Sequence, residues 1–251
     1  MIQLSVVIIT YNEERNIVRC LNSIKEIADE IVVVDSYSTD KTVEICNSHG
    51  AKVFQHKFEG HIQQKNYALE KTSFSFALSL DADEVLSDEL RKSIAFVKSD
   101  WRFDGYEMNR LTNYCGAWIQ HGGWYPDRKI RLFDKRKGNW TGINPHDRYA
   151  LNEPNASVGY LHGDILHYSY YSISDHIKQV DYFTEISACV LFEQKRKASL
   201  VRLIVSPGFR FIRDYVLKCG FLDGYYGFVV CIISSHAVFL KYAKLRELWK
   251  H

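Results

Sequence analysis

Three short apolar runs, each followed by polar residues, constrain the fold of this 251-residue chain more than any other feature. Residues 4–10 read LSVVIIT, residues 31–34 read IVVV and lead into Asp35, and residues 74–80 read FSFALSL. Near-continuous runs rich in Val and Ile are typical of strands that are buried on both faces of a parallel sheet. The runs therefore predict a buried, parallel sheet.

Helical patterns lie between the predicted strands. Apolar residues recur at helical spacing over residues 17–28, and residues 38–40 can cap a second helix. Residues 52–55 predict a third strand and residues 62–69 a third helix, which makes residues 74–80 the fourth strand. Strands that alternate with helices predict an α/β fold with a doubly wound, mostly parallel sheet.

Ligands of such sheets bind beyond the carboxyl ends of the strands. The residues at those positions are Tyr11 to Glu13, Asp35, and Asp81 to Asp83. Neither the glycine-rich turn of dinucleotide-binding folds nor the P-loop signature is present, which excludes those two nucleotide-binding classes. A nucleotide would instead be held by carboxylates together with a divalent cation.

The sequence Asp81-Ala82-Asp83 supplies such carboxylates directly after a predicted strand. Residues two apart in an extended segment point to the same side, so that one carboxylate can reach a ribose while the other binds a metal. Hard oxygen ligands favour Mg²⁺ or Mn²⁺. The alternative is a solvated acidic loop ahead of a helix that begins near Ser87.

Charge divides the chain unevenly, although the net charge is only +2. Residues 1–194 carry a net charge of −6, whereas residues 195–251 carry +8. We predict a catalytic domain over residues 1–172 and a basic helical region over residues 173–251. The acidic body and the lack of a recognisable nucleic-acid module argue against a nucleic-acid partner.

The basic region is expected to contact an anionic membrane surface. Basic and apolar side chains interleave from Arg202 to Lys218, as in helices that lie on lipid, although a helical appendage packed on the catalytic domain has the same pattern. The longest uncharged stretch, residues 224–240, falls short of the roughly 20 residues of a membrane span. The six cysteines form no C-x-x-C pair, and the first residues do not resemble a signal peptide, which favours a cytoplasmic protein.

The polar strand ends and several later segments resemble a known enzyme family. SVVIITYNEE, IVVVDSYSTD and SLDADE are similar to glycosyltransferase family 2, whose members have the GT-A fold. WIQHGGWYPDRKIRLFDKRKGNW, INPHDRY and GDILHYSY resemble the lipopolysaccharide core β-glucosyltransferase-like group of that family. The resemblance implies a metal-dependent, inverting transfer of a sugar, with UDP-glucose as the expected donor, to a lipid-linked saccharide acceptor.

The resemblance also implies roles for residues on the donor side. Asp35 is expected to bind the uracil, Asp81 the ribose and Asp83 the metal. Tyr11 and Glu13, after the first strand, are expected at the nucleotide sugar. Further candidates are Lys65, at the diphosphate or on a solvated helix face, and His167, as a second metal ligand or a core residue, with His162 as its competitor.

The acceptor side has its own candidates. The resemblance implies that Asp147 is the general base, although the family commonly has Glu after the His where this chain has Asp. A sugar hydroxyl is a weak acid, so its base must lie within hydrogen-bond distance during attack. The alternative is that Asp147 follows a turn after Pro145 and pairs with Arg148. Trp124, Asp127 and Arg128 are expected at the acceptor, although Trp124 can equally be a core residue.

Two other functions are compatible with these motifs. A non-catalytic nucleotide-sugar-binding or membrane-scaffold protein could keep Asp35 and the D-x-D sequence without turnover. A sugar nucleotidyltransferase uses a similar sheet and metal, but the acidic segment after the first strand, residues 11–14, differs from the glycine-rich basic loop of that class.

Overall fold

The computed structural model describes residues 1–143 and 146–250, without the side chain of His146. The chain forms two compact units. Unit 1 comprises Met1–Arg110 and Asp127–Tyr168, and unit 2 comprises Leu111–Pro126 and Ser169–His251. The structure thus groups residues 111–126 with the C-terminal region, whereas the sequence-based division places them in residues 1–172.

Four parallel strands form one half of the sheet in unit 1. They are β1 (Leu4–Thr10), β2 (Glu30–Asp35), β3 (Lys52–Gln55) and β4 (Phe76–Asp81), in the order β3-β2-β1-β4. Adjacent side chains of β1 pack into hydrophobic clusters on opposite faces of the sheet, with Val6 and Ile8 on one face and Val7 on the other. Burial on both faces explains why the strand is apolar throughout and confirms the predicted parallel sheet.

Helices cover both faces of this half. They are α1 (Ile17–Ile24), α2 (Thr42–Ser48), α3 (His61–Glu70) and α4 (Asp88–Ser99). α1 and α4 pack on the face that contains Val6, and α3 packs on the face that contains Val7. The Ser87 hydroxyl accepts a hydrogen bond from the Leu90 N–H at 3.2 Å and caps α4 where the sequence predicts a helix start.

The other half of the sheet is antiparallel, and the sequence analysis did not locate it. Its strands are β5 (Glu84–Leu86), β6 (Gly105–Tyr114), β8 (Arg128–Asp134) and β11 (Val158–Tyr170), of which β6 and β11 end in residues of unit 2. β7 (Ala117–Ile119) belongs to unit 2 and pairs with the last residues of β6. The path β4-β8-β6-β11-β5 continues the parallel half, with β8 antiparallel to both β4 and β6. β9 (Gly138–Ile143) and β10 (His146–Leu151) form a separate antiparallel pair.

Unit 2 is mainly helical. It contains α5 (Ile173–Glu193), α6 (Leu200–Phe211) and α7 (Gly224–Leu248), with a π-helical turn at Ile212–Leu217 and a 3₁₀ turn at Gly220–Asp223. α5 begins at the first residue of the predicted basic helical region. The rings of Trp124, Tyr114, Tyr170 and His176 pack together at centroid distances of 4.5 to 6.0 Å. Trp124 is thus part of an aromatic cluster in this unit.

The surface of α6 is unusually apolar. None of its residues is buried, and Val201, Ile204 and Phe209 are 69%, 72% and 62% exposed. A second stretch, Gly220–Leu248, is long and apolar enough to cross a membrane by length and composition alone, and 22% of its most apolar window is buried. The count of 17 uncharged residues suggested that the stretch is too short to cross a membrane, but the length of the helical stretch does not exclude a crossing.

Candidate functional site

The carboxyl ends of β1 and β2 lie side by side, because Thr10 pairs with Asp35 in the parallel register. The Asp35 carboxylate is fully buried and accepts hydrogen bonds from the backbone N–H of Ser38, at 2.9 Å, and from its hydroxyl. Tyr11, just beyond β1, is 58% exposed. These strand ends combine one buried, fixed carboxylate with one accessible aromatic ring.

Glu13 lies near the acids that follow β4. Its carboxylate accepts a hydrogen bond from the Asn16 side chain at 2.7 Å, and its backbone N–H donates to Thr42 Oγ1 at 2.8 Å. Burial raises the pKa of Glu13 to about 7, and the negative charges of Asp83 and Asp81 add to this rise. Glu13 therefore belongs to the same electrostatic neighbourhood as the D-x-D sequence.

Lys65 joins two of the predicted site residues. Its side chain is only 2% exposed, and its Nζ lies 3.1 Å from Asp81 Oδ1 and 2.8 Å from Asp147 Oδ2. The alternative of a solvated helix face is therefore wrong for Lys65. The ion pairs bring together α3, β4 and β10, although Lys65 and Asp147 are 82 positions apart in the sequence.

Arg131 and Glu84 fix Asp81 from the other side. Arg131 Nη2 lies 3.2 Å from Asp81 Oδ2 and 3.0 Å from Glu84 Oε1, and Glu84 Oε2 accepts the Asp81 N–H at 2.9 Å. Burial alone would raise the pKa of Asp81, but the charges of Lys65 and Arg131 outweigh it and hold the pKa well below its usual range. The loop after β4 is thus an ion-paired network and not a solvated loop.

Sequence reasoning missed Arg131, Glu84 and Arg110 as members of this network. Arg110 contacts Glu84 at 3.7 Å and Asp127 at 2.9 Å. A signal was available in KIRLFD, where an arginine stands within an apolar strand and so needs a buried acidic partner.

Asp83 lies next to His167. Asp83 Oδ2 is 3.2 Å from His167 Nε2, while His162 is exposed and its carbonyl accepts a hydrogen bond from Ser93. Burial opposes ionisation of Asp83, but the neighbouring His167 lowers its pKa. Gly163 lets β11 approach α4, because a Cβ there would lie 2.3 Å from the Leu90 nitrogen. Of the two candidate histidines, the structure brings His167 to the D-x-D sequence.

The donor chemistry of this pair fits a magnesium or manganese ion. Asp83 supplies a carboxylate and His167 an imidazole, and His167 Nδ1 is buried with no hydrogen-bond partner among the described residues. Within residues 1–143 and 146–250, no group of three or more His, Cys, Asp or Glu could hold a metal. Mg²⁺ typically binds through one or two protein ligands plus substrate phosphates and water, so a small protein ligand set is sufficient.

Asp147 lies in β10 opposite Gly142 of β9, with its side chain 13% exposed. Its ion-pair partner is Lys65, so pairing with Arg148 is not the arrangement observed. Pro145, which the alternative placed in a preceding turn, lies outside the described residues. Asp147 is therefore held beside Asp81 through a shared lysine.

A cavity of about 550 Å³ opens beside these residues. It contains four predicted site residues: Lys65, Asp81, Arg128 and Asp147. The full lining is Lys65, Asp81, Glu107, Arg110, Arg128, Lys129, Ile130, Arg131, Trp140, Asp147, Arg148 and Tyr149. Six basic and three acidic side chains thus face one space.

The three predicted acceptor residues, Trp124, Asp127 and Arg128, do not all lie in the same unit. Asp127 pairs with Arg110 and, at 3.0 Å, with Lys129, while Arg128 pairs with Glu107 at 3.1 Å. Both belong to unit 1. Trp124 belongs to the aromatic cluster of unit 2.

Comparisons with known proteins agree with this arrangement. The family described as Glycosyl transferase family 2 matches residues 5–153. An uncharacterized glycosyltransferase of Rickettsia typhi is 35% identical over 257 residues, which cover 99% of this chain and 88% of the relative. The lipopolysaccharide core biosynthesis glycosyltransferase LpsC of Rhizobium meliloti is 26% identical, over 97% of this chain and 92% of the relative.

A solved structure supports the fold. The mannosyltransferase PcManGT of Pyrobaculum calidifontis, in complex with GDP-Man and Mn²⁺, aligns with a TM-score of 0.56 at 14% identity and covers 99% of this chain and 88% of that one. This likeness confirms the predicted GT-A architecture. The match over residues 5–153 and the 35% identical relative show that the chain is a glycosyltransferase and belongs to glycosyltransferase family 2.

Proposed function

We propose that this glycosyltransferase moves a sugar, with glucose from UDP-glucose as the first donor to test, to a saccharide acceptor with inversion at the anomeric carbon. The acceptor belongs to lipopolysaccharide core or related surface-glycan assembly, a proposal that draws on the printed name of the Rhizobium relative. One observation carries the proposal. A buried lysine joins Asp81, on the donor side, to Asp147, the candidate base, within one cavity.

The nucleotide part of the donor would bind along the ends of β1, β2 and β4. Asp35 is buried and rigid, as a carboxylate that reads a base edge must be, and Tyr11 offers an exposed ring to the same region. Glu13 and Asp81 would border this strip, and Asp81 would accept a hydrogen bond from the ribose.

Asp83 and His167 would hold the divalent cation, which supplies neutralisation of the negative charge on the departing diphosphate. Lys65 was expected at the diphosphate as well. Its ion pairs with Asp81 and Asp147 support a different task, the positioning of both carboxylates. A rigid carboxylate at the right distance lowers the entropic cost of attack.

The transfer is one in-line displacement. The acceptor hydroxyl oxygen forms a bond to the anomeric carbon while the bond from that carbon to the diphosphate oxygen breaks. The hydroxyl proton passes to the Asp147 carboxylate, and the electron pair of the broken bond leaves with the nucleoside diphosphate. Attack from the face opposite the leaving group inverts the anomeric centre.

Enzyme turnover is the first test. Release of nucleoside diphosphate is measured with UDP-, GDP- and ADP-sugars in Mn²⁺, Mg²⁺ or EDTA, for the wild type, Asp83→Ala and Asp88→Ala. Asp88 is a matched control because it is an exposed acid at the start of α4. We expect metal-dependent UDP release that only Asp83→Ala abolishes. Equal release by wild type and Asp83→Ala, or the same rate in EDTA, would contradict the proposal.

We further propose that α6 lies on the cytoplasmic face of a membrane, where it would bring the enzyme to a lipid-linked acceptor. Its exposed apolar side chains alternate with Arg202 and Arg210, a composition that suits an anionic lipid surface. Such a helix buries its apolar side chains between the headgroups and keeps its guanidinium groups in the headgroup layer.

Liposome flotation tests this surface. The enzyme should float with anionic vesicles at low salt, and Ile204→Asp with Phe209→Asp should abolish flotation. Phe96→Asp is the matched control, because Phe96 is 68% exposed on α4 of unit 1. Absence of wild-type flotation, or equal loss in the control, would remove the membrane contact.

A further inference from the structure

We propose that the cavity beside Asp147 is a subsite for an anionic group, a phosphate or a carboxylate, that the acceptor saccharide carries. This inference rests on the proposed function, because it makes the substrate class of the same site more specific.

The charge of the cavity is the first observation. The basic lining residues are Lys65, Arg110, Arg128, Lys129, Arg131 and Arg148, against the acidic Asp81, Glu107 and Asp147. Glu84 and Asp127, outside the lining, pair with Arg110, Lys129 and Arg131 and reduce this surplus without cancelling it. A neutral saccharide gains little from the remaining positive charge, whereas an anion is attracted by it. The lining therefore favours a negatively charged ligand.

The guanidinium of Arg131 is the second and independent observation. The Arg131 side chain is 4% exposed, and its Nη2 donates hydrogen bonds to both Asp81 and Glu84. Its Nε and Nη1 are buried and have no hydrogen-bond partner within the described residues. Buried donors without acceptors destabilise the folded chain, so a ligand oxygen that reaches them would be bound favourably.

Arg148 is a further arginine that could bind an anion, and it lies beside the candidate base Asp147. It follows Asp147 directly, is exposed, and pairs with no carboxylate in the part of the chain that the structure describes. Arg128, which also lines the cavity, pairs with the partly exposed Glu107. Guanidinium groups bind carboxylate and phosphate through two parallel hydrogen bonds, so they recognise the shape as well as the charge.

The position of the cations favours the acceptor over the donor. Of the residues assigned to the nucleotide and its metal, Asp35, Glu13 and Asp83 do not line this cavity, whereas Asp81 does and is ion-paired there with Lys65 and Arg131. The exposed cations come from β8 and β10, and β10 also carries Asp147. An anionic group bound there would fix a neighbouring hydroxyl against the base.

Ligand-observed NMR with simple sugars tests the inference. Binding of D-glucose 6-phosphate, D-glucuronate and D-glucose to the full chain is compared in the presence of saturating UDP and Mg²⁺, which occupy the donor site. We expect one or both charged sugars to bind at least about tenfold more tightly than glucose, and to weaken as salt rises. The phosphate and carboxylate arms identify which anion the subsite prefers.

Paired variants locate the binding. Arg128→Gln with Arg148→Gln should weaken the preferred charged sugar about tenfold and leave UDP affinity unchanged. The control is Arg102→Gln with Arg136→Gln, which removes two exposed arginines of unit 1 that lie outside the cavity and pair with Asp100 and Asp134. Equal weakening by both pairs would mean a general charge effect and would overturn the subsite.

Three further outcomes test the anionic subsite and the proposed function separately. Equal affinity for glucose and both charged sugars overturns the inference, as does charged-sugar binding that UDP and Mg²⁺ displace, because the cations would then serve the donor diphosphate. Failure of both UDP and GDP to bind would count against the proposed function alone. The comparison of charged and neutral sugars is then made without nucleotide and decides the subsite by itself.

Discussion

The parallel and antiparallel halves of the sheet in unit 1 contribute opposite charges to the site. The parallel strands end on the acids Asp35, Asp81 and, just beyond, Asp83. The antiparallel half brings Arg110 on β6 and Arg131 on β8 to the cavity, and the separate β9–β10 pair adds Arg148 together with the candidate base Asp147.

This difference shows how one sheet can separate two substrates. Acids suit a metal and the hydroxyls of a nucleotide, while guanidinium groups suit a negatively charged acceptor. Lys65 is the buried contact between the two sets, because it pairs with Asp81 at the end of the parallel half and with Asp147 of the β9–β10 pair. Each half can therefore be tested for one substrate while the other half is left intact.

The largest expected effect is that of Asp147→Asn. Loss of a general base typically costs about 10²- to 10⁴-fold in rate, and it acts in the transition state, so kcat should fall by this amount while UDP affinity stays unchanged. Steady-state kinetics with UDP binding measured in parallel checks both. Full turnover by the variant would remove Asp147 as the base, and a wild type that binds UDP without turnover would support a binding protein instead.

Lys65→Met breaks the contact between the parallel half of the sheet and the β9–β10 pair. Removal of one partner from a buried ion pair leaves uncompensated charge and typically costs about 3–5 kcal/mol, so the free energy of unfolding in urea should drop by this amount and turnover should be lost. Lys98→Met is the comparison, because Lys98 is also buried and pairs with Asp29 at 2.7 Å, away from the cavity. We expect Lys98→Met to lower stability but to keep turnover at temperatures where it is folded. Retained turnover in folded Lys65→Met would show that the lysine is structural only.

The sequence predicted the parallel half well because local signals specify it. Burial on both faces makes β1 and β2 apolar throughout, and a strand that ends in a ligand crevice changes abruptly from apolar to polar residues. Asp35 and Asp81 were found in this way, and the structure places both at strand ends.

The antiparallel half could not be predicted in the same way. β6 reads GYEMNRLTNY, in which buried and charged positions mix without a clean alternation. The partners of Arg131 are 50 and 47 positions away, and no period in the sequence encodes such a distance. The basic cavity depends on these long-range contacts, and so it became visible only in the folded chain.

Glu30 is a buried acid of the parallel half that lies at the start of β2, away from the ligand crevice. It can therefore be expected to contribute to stability but not to activity. Burial opposes its ionisation, but hydrogen bonds from Lys52, Ser5 and Ser73 outweigh burial and lower the pKa of Glu30 to about 2 from an ordinary 4.5. The ionised carboxylate therefore stabilises the fold by up to about 3 kcal/mol above pH 4.5, and this contribution is lost as pH falls from 4.5 towards 2.

Glu30→Gln tests this separation of roles. The difference in unfolding free energy between wild type and variant should be largest near neutral pH and should shrink below pH 4.5, while turnover of the folded variant stays at the wild-type level. Urea unfolding at several pH values, with one activity measurement at neutral pH, gives both results. A constant difference across pH would mean that packing, and not charge, is what Glu30 contributes.

The smallest expected effect is on metal affinity, at the site where both halves of the sheet would bind the same cation. Asp83 follows β4 and His167 belongs to β11, yet their side-chain atoms are 3.2 Å apart. A metal that both residues bind would keep Asp83 after His167→Ala, so activity should persist and the Mn²⁺ concentration for half-maximal activity should rise about tenfold. His162→Ala, on the same strand but exposed, should leave that concentration unchanged. If both variants need the same Mn²⁺ concentration as the wild type, His167 does not bind the metal and serves only to hold Asp83, and the acidic half then binds the cation without help from the antiparallel strands.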